Sequence, residues 1–418
     1  MGMGASCGYW KEKVSDRNKK KYNINIETND HTEENIELNN VKNVKKIYQE
    51  AMEIVNKKRL KVLDMSYVKM RKNHKQNVQE KYHKVIVPYQ FSEKQLLELH
   101  QLMNIVEATE PWQKIENDDG QIYYYNGNTH ESVWEVPDEF NSNNSENNSS
   151  SPKITSLSIA NHNFKDKMPN TIGKFCTIQP SKIFNLVELD LSKNKLGEKT
   201  MSTISNCLII SSTTSSSTAT ILCQLEKLKL SDNSIGDKGL SILANKLKET
   251  KNALPSSLKS LYLDRNGLSN ISIIKFAEAF STSSKIFSSL TILSLSGNRL
   301  ISNDGVISIV NNNLLHILSE LFLSGTKVSD DGAIAIAKGL IHDKCSLVTL
   351  SISGANVGDK GGFEIAKNLP LYKLRGFDLQ GNSFSKEVRD KILANGKRNK
   401  SCYVVVQDDR GKAKVSKR

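Results

Sequence analysis

Cysteine is sparse in this 418-residue chain: Cys7, Cys176, Cys207, Cys223, Cys345 and Cys402 lie far apart and form no CxxC pair. A disulfide framework and a zinc site both need closely spaced partners, so neither is expected and no metal ligand is assigned. The eight histidines do not gather at ligand spacing, and the motifs GxxxxGK[ST], GxSxG and HExxH are missing. With no phosphate cradle, nucleophile elbow or zinc-protease helix, the chain reads as non-enzymatic and without a cofactor. No secretory leader and no apolar run of bilayer length is present, so an intracellular protein is expected. Aromatic residues make up only 6% of the chain. Their placement is therefore informative.

They concentrate in ATEPWQKIENDDGQIYYYNGNTHESVWEVP, residues 108–137, where Trp112 and Trp134 bracket Tyr123, Tyr124 and Tyr125, and Pro137 follows. The turn signal Asp118-Asp119-Gly120 and the loop at Gly127 divide the stretch into three short strands of an antiparallel sheet. Strand alternation puts Tyr123 and Tyr125 on one face and Tyr124 on the other. Trp112, Tyr124 and Pro137 are expected to form a miniature core, and Tyr123, Tyr125 and Trp134 an exposed aromatic groove. Both tryptophans, the central aromatics, Asn126, Thr129, Ser132 and Pro137 fall as in the WW domain family, which the segment resembles. The resemblance implies binding of a proline-rich peptide as a polyproline II helix, a conformation that costs little entropy to capture. Tyr123 and Trp134 would form the proline slot, flanked by Tyr125 and Ser132. Gly127 and Tyr125 depart from WW domains that read a tyrosine after the prolines, which favours proline runs carrying leucine or arginine.

After a polar linker at 141–152, the pattern LxxLxLxxN recurs from Ile154, Leu186, Leu225, Leu258, Leu290, Leu318, Leu347 and Leu374, giving eight units. Each opens with a strand and continues into an apolar helical stretch, so stacking supplies a core that no unit has alone. Asn194, Asn233, Asn266, Asn298 and Asn382 hold the ninth position, where an amide can satisfy buried main-chain groups of adjacent units. His162, Thr326 and Ala355 replace it and are expected to interrupt that ladder. The units resemble the leucine-rich repeat superfamily, and their length resembles its ribonuclease-inhibitor-like class. Asp237-Lys238-Gly239, Asp330-Asp331-Gly332 and Asp359-Lys360-Gly361 match that class's helix start, with the aspartate read as a cap for its helix. SSTTSSST at 211–218 reads as a surface insertion.

Such a horseshoe presents alternate strand residues on its concave face: Glu188, Asp190, Lys227, Lys229, Asp264, Ser294, Ser296, Glu320 and Ser351. Tyr262 and Phe322 stand out there as protein-binding anchors that the repeat pattern does not require.

The net charge of +13 sits at the ends. Residues 1–87 hold 19 Lys and Arg against 11 Asp and Glu, and residues 396–418 hold 8 against 2. The chain begins Met1-Gly2-Met3-Gly4-Ala5-Ser6-Cys7, a myristoylation pattern at Gly2, with Cys7 available for palmitoylation and Lys11, Lys13, Arg17, Lys19, Lys20 and Lys21 close behind. One acyl chain binds only marginally, and these supply the second signal, placing anionic lipid ahead of nucleic acid as the charged partner. Val44, Ile47, Ile54, Val55, Val62 and Leu63 read as parts of one or two helices. Phe91, Ser92 and Gln95 then mark a capped helix running to Glu107, placed to brace the WW segment.

The sequence thus describes a multidomain chain: a lipidated tail (1–40), a basic helical region (41–107), a WW domain (108–140), a linker (141–152), an α/β leucine-rich-repeat solenoid (153–395) and a C-terminal cap with a basic tail (396–418). The corresponding function is an adaptor at the cytoplasmic face of a membrane, binding a proline-rich segment with one module and a second protein with the other. Two rivals are a GTPase-activating protein, because the repeats resemble those of activators of a nuclear-transport GTPase, and an RNA-processing adaptor, because the YYYN variant resembles WW domains of splicing factors.

Overall fold

The computed structural model describes residues 44–58, 62–66, 90–105, 112–116, 122–126, 132–133, 154–175, 184–208, 225–249, 258–281, 289–408 and 410–416. Gly2, Cys7, Gly127, Trp134, Pro137, the linker at 141–152 and the insertion at 211–218 lie outside them.

Eight short strands begin the eight repeats: β5 (Ile154–Ser158), β6 (Phe184–Asp190), β7 (Lys227–Lys229), β8 (Ser260–Tyr262), β9 (Ile292–Ser294), β10 (Glu320–Phe322), β11 (Thr349–Ser351) and β12 (Gly376–Asp378). They pair in parallel, each with the next repeat. The leucine pattern dictates this: Leu228 and Leu230 are fully buried while Lys227 and Lys229 alternate to the other side. The return path of each repeat is a helix whose apolar stripe closes the core. In Gly236–Glu249 the stripe is Leu240, Leu243, Ala244 and Leu247, the spacing of one helical face.

The parallel sheet extends beyond these repeats at both ends, to eleven strands among the described residues. At the front, β1 (Val62–Asp64) pairs with β5, aligning Leu63 with Leu157. Val62 and Leu63 are therefore strand residues, not helix, and the solenoid starts well before residue 153. Helix α1 (Val44–Lys58) precedes β1, and α2 (Glu93–Ile105) follows it and packs on both α1 and α3 (Pro169–Phe175). Ser92 and Gln95 form the expected capping box: Gln95 Oε1 accepts from Ser92 N–H at 2.9 Å, and Ser92 Oγ accepts from Gln95 N–H at 3.4 Å. The helix braces the first repeat, because Phe91 stacks on His162 with ring centroids 4.4 Å apart. At the far end β13 (Tyr403–Gln407) continues the parallel sheet, and β14 (Ala413–Val415) folds back antiparallel to cover its edge.

The segment between α2 and β5 contains a separate three-stranded antiparallel sheet: β2 (Trp112–Glu116), β3 (Ile122–Asn126) and β4 (Ser132–Val133). This is the sheet expected from the aromatic stretch. Its register pairs Trp112 with Asn126, Tyr123 with Ile115, and Tyr125 with both Gln113 and Ser132.

The remaining repeat helices are α4 (Glu198–Leu208), α5 (Gly236–Glu249), α6 (Asn270–Ser281), α7 (Asn303–Asn311), α8 (Asp330–Leu340), α9 (Asp359–Asn368) and α10 (Lys386–Arg398). Their acidic starts correct one expectation. Asp237 does not cap α5; its carboxylate accepts from Ser269 N–H at 2.8 Å and from the Ser272 hydroxyl at 2.6 Å, capping α6 of the next repeat. Asp330 likewise accepts from Gly358 and Gly361 N–H, both at 2.8 Å, on α9. Asp166 serves α4, and Asn270 and Asn303 serve α7 and α8. These five helices, α4, α6, α7, α8 and α9, therefore offer orphan N–H groups to the repeat before them, which welds neighbours together. Burial opposes ionisation of Asp166 and Asp237, but the hydrogen bonds from Thr200, Lys199 and Gly197 to one, and from Ser269 and Ser272 to the other, hold both carboxyls below the usual range.

The glycine of Asp-x-Gly follows from the same contact. A Cβ on Gly361 would lie 2.9 Å from the Asp330 carboxylate oxygen and 3.0 Å from the Ala333 Cβ. Gly361→Ala is expected to lose about 1–3 kcal/mol of stability in denaturant titration, despite alanine's better helix propensity. A gain in stability would refute this packing argument.

Candidate functional site

The side of the sheet away from the helices carries two outward rows. One runs through Ser156, Glu188, Lys227, Ser260, Ile292, Glu320 and Thr349, the other through Asp64, Ser158, Asp190, Lys229, Tyr262, Ser294, Phe322, Ser351 and Asp378. Of the residues chosen from the sequence, Glu188, Asp190, Lys227, Lys229, Tyr262, Ser294, Glu320, Phe322 and Ser351 stand in these rows, but Ser294, Ser351 and Asp264 are buried rather than exposed. Strand β1 extends this face by one more strand, with Asp64 in the second row and Ser66 just beyond its end. Its signal, Leu60-x-x-Leu63-x-Met65, was present but lies far from the next unit.

A polar ladder stiffens this face. Ser66 Oγ lies 2.8 Å from Ser158 Oγ. Asp264 accepts from the Ser231 hydroxyl at 2.9 Å, from Ser296 N–H at 2.8 Å and from the Ser294 hydroxyl. Ser324 Oγ meets Ser351 Oγ at 2.6 Å, and Ser351 donates to Asp378 at 3.2 Å. Both lysines of the outward rows turn to one acid: Lys227 reaches Glu188 at 3.1 Å, and Lys229 is paired with it too. Burial opposes ionisation of Glu188, but Lys229 and Lys227 outweigh it and hold its carboxyl below the usual range.

Tyr262 and Phe322 lie in the same row, each beside Ser294, on strands β8 and β10. Two strand spacings separate them, roughly 10 Å. Ser294 is fully buried between them, its hydroxyl committed to Asp264. Tyr262 and Phe322, both half-buried, thus flank a hydroxyl whose bonding is already satisfied. Among the described residues no group of three or more His, Cys, Asp and Glu is placed to hold a metal.

On the three-stranded sheet, the register sets Tyr125 directly opposite Ser132 and places Tyr123 two residues away on the same strand. These are three of the four residues assigned to proline-rich peptide binding.

The asparagine ladder runs beneath the rim. Asn194, Asn233 and Asn298 are buried, and each donates its amide to two main-chain carbonyls or more. Thr326 keeps a single bond, to Leu323 O at 2.7 Å, and Ala355 has no polar side chain, so the interruption expected there is real. His162 does not interrupt the ladder. Its Nδ1 accepts from Phe91 N–H at 2.9 Å, and its Nε2 lies 2.7 Å from Met65 O, carrying the ladder onto the N-terminal strand and helix.

Two family models, both described as leucine-rich repeat, match this chain, one at residues 222–244, 288–310, 315–337 and 343–366 and the other at 185–207. No curated protein matches. Among solved structures, the chain is similar to Leiomodin-1 actin-binding site 2 (18% identity, 37% of this chain and 86% of that one, TM-score 0.29). It is also similar to a chain of the Rad7 and Elc1 complex in yeast (15% identity, 56% and 71% covered, TM-score 0.26). An internalin from Listeria monocytogenes matches at 16% identity, covering 62% of this chain and 83% of that one, TM-score 0.20. The parallel strands, the helices behind them and the matched segments together make the solenoid one of leucine-rich repeats, a fold that serves protein–protein interaction.

Proposed function

We propose that the chain is a non-enzymatic adaptor that joins two proteins at the cytoplasmic face of a membrane. The observation that carries this is the outward row of the repeat sheet, where Tyr262 and Phe322 flank the Ser294 hydroxyl, itself already satisfied. An apolar side chain packed over the two rings would displace water without orphaning that hydroxyl. The three-stranded sheet supports a second site, for proline-rich segments, at Tyr123, Tyr125, Ser132 and Trp134. The N-terminal Gly2, Ser6 and Cys7 with their trailing lysines support acylation. Two binding modules on one chain raise the effective concentration of each partner for the other.

Affinity capture with wild type, Tyr262→Ser/Phe322→Ser and Trp134→Ala tests this. Each variant is expected to lose a different partner set, and Gly2→Ala is expected to leave the membrane fraction. Identical partners for all three baits would remove the two-module assignment.

A further inference from the structure

Two neighbouring repeats, the fourth and the fifth, break the pattern that the others keep on the rim between strand and helix. In every other repeat the buried apolar residue that closes the turn stands two places after the ladder position, as Leu196 does after Asn194 and Val328 after Thr326. The fifth repeat holds one residue more. Asn298 is followed by Arg299, Leu300 and Ile301; Ile301 takes the buried place and Leu300 is left 58% exposed. In the fourth repeat the change lies at the helix start. Charged, exposed residues follow Glu198, Asp237, Asn303, Asp330 and Asp359, whereas Asn270 is followed by Ile271, which is 62% exposed. A single exposed aliphatic needs no explanation. These two are brought together, because Ser269, two residues before Ile271, forms a parallel bridge with Leu300, and Asn270 accepts from Ser302 N–H at 2.8 Å. Both sit where the fold accommodates a charged residue or none, so neither serves the core.

Charge is distributed unevenly around the pair. Arg299 precedes Leu300 in the chain, and Lys327, on the equivalent turn of the next repeat, donates its N–H to Ile301 O at 2.8 Å. Both are exposed, and among the described residues no carboxylate lies within ion-pair distance of either. Arg265 differs from them, being committed to Asp232 at 2.6 Å. On the helix side stands one acid, Asp304, exposed on α7 at the place that Ile271 takes on α6.

We propose that Ile271 and Leu300 anchor a second protein-binding site of the repeat domain, on its rim, for a peptide segment that carries an aliphatic or aromatic residue beside an acidic one. The apolar side chain packs over Ile271 and Leu300, and the carboxylate reaches Arg299 and Lys327. Charge complementarity favours this occupant over a bilayer. An anionic membrane would meet Asp304 as well as the two cations, whereas a peptide can place its acid on the turn side alone. The site is independent of the concave face, since neither Tyr262 nor Phe322 takes part in it.

The test pans a random-peptide library on the full-length protein after depleting it on full-length Ile271→Lys/Leu300→Ser, which removes peptides bound anywhere else. That variant puts polar groups at two exposed places, one of them charged in other repeats, so its unfolding midpoint is expected to stay level. The surviving peptides are expected to share an apolar residue beside Asp or Glu. As synthetic peptides they are expected to bind Ile271→Lys/Leu300→Ser at least about tenfold more weakly than wild type, and Arg299→Glu/Lys327→Glu likewise, with an affinity that falls as salt rises. Tyr262→Ser/Phe322→Ser is expected to bind them as wild type does. The absence of any survivor overturns the proposal, as do survivors without an acid, survivors indifferent to Arg299→Glu/Lys327→Glu, and survivors lost with Tyr262→Ser/Phe322→Ser. Sedimentation with phosphatidylserine vesicles that depends on Ile271 and Leu300 would assign the pair to a membrane and overturn it too.

Discussion

Asn298→Ala is expected to destabilise the repeat domain by about 3–5 kcal/mol, one of the largest losses available from a single polar side chain. Asn298 is fully buried. Its Nδ2 donates to Leu263 O at 3.0 Å and Leu295 O at 2.8 Å, while Oδ1 accepts from Asn266 N–H at 2.8 Å and Leu268 N–H at 3.1 Å. Alanine leaves four main-chain groups in two repeats without a partner, in a place that water reaches poorly. The loss spreads, because each repeat is stable only through its neighbours. Asn382→Ala offers the comparison, since Asn382 is only half-buried and near the C-terminal end; its loss is expected to be smaller. Denaturant titration of both variants decides the matter. A loss under about 1 kcal/mol for Asn298→Ala would mean that the ladder is decorative.

Much of this was legible in sequence, and the reason is periodicity. Leu228, Leu261 and Leu293 recur at repeat spacing, so their strands and the outward positions of Tyr262 and Phe322 could be named before any coordinates. The three short strands around the tyrosines followed from turn signals, whereas the nearness of Tyr125 and Ser132 came only from the resemblance to WW domains. What escaped was whatever periodicity does not encode. The strand Val62–Asp64 belongs to the solenoid, but the next repeat strand begins only at Ile154, after α2 and the three-stranded sheet. Its leucine and methionine therefore read as scattered apolar residues among lysines. Asp237 was recognised as a cap, yet a single sequence could not show which helix it serves, because side-chain direction between stacked repeats is a tertiary property.

His162 was read as a break in the asparagine ladder and proves to be the joint between the N-terminal elements and the repeats. Its ring lies between Phe91, at 4.4 Å and 9° interplanar angle, and Phe164, at 5.3 Å and 4°. An asparagine is too short to reach both Phe91 N–H and Met65 O, which the two imidazole nitrogens do. Because Nδ1 accepts, the proton sits on Nε2 and the ring is neutral; a second proton would point at the Phe91 N–H. Burial dominates and pushes the pKa down to about 4, against smaller opposing effects of the Met65 carbonyl and Asp64. The folded value lies below the unfolded one near 6.5, so this contribution is fully present above about pH 6.5 and is lost as pH falls toward 4. The loss amounts to about 3 kcal/mol. His100 on α2, its pKa lowered by burial and then by Lys174, acts in the same direction and is controlled by His100→Gln. Hydrogen exchange from pH 7 to pH 4 is expected to show residues 44–66 and 90–105 opening on acidification before the central repeats do. His162→Phe keeps the stack but orphans Phe91 N–H and Met65 O, so it is expected to be looser at pH 7, by about 2–4 kcal/mol, and nearly insensitive to acid. If His162→Phe/His100→Gln still opens at the N-terminal end with the wild-type pH profile, His162 is not the group that holds it shut.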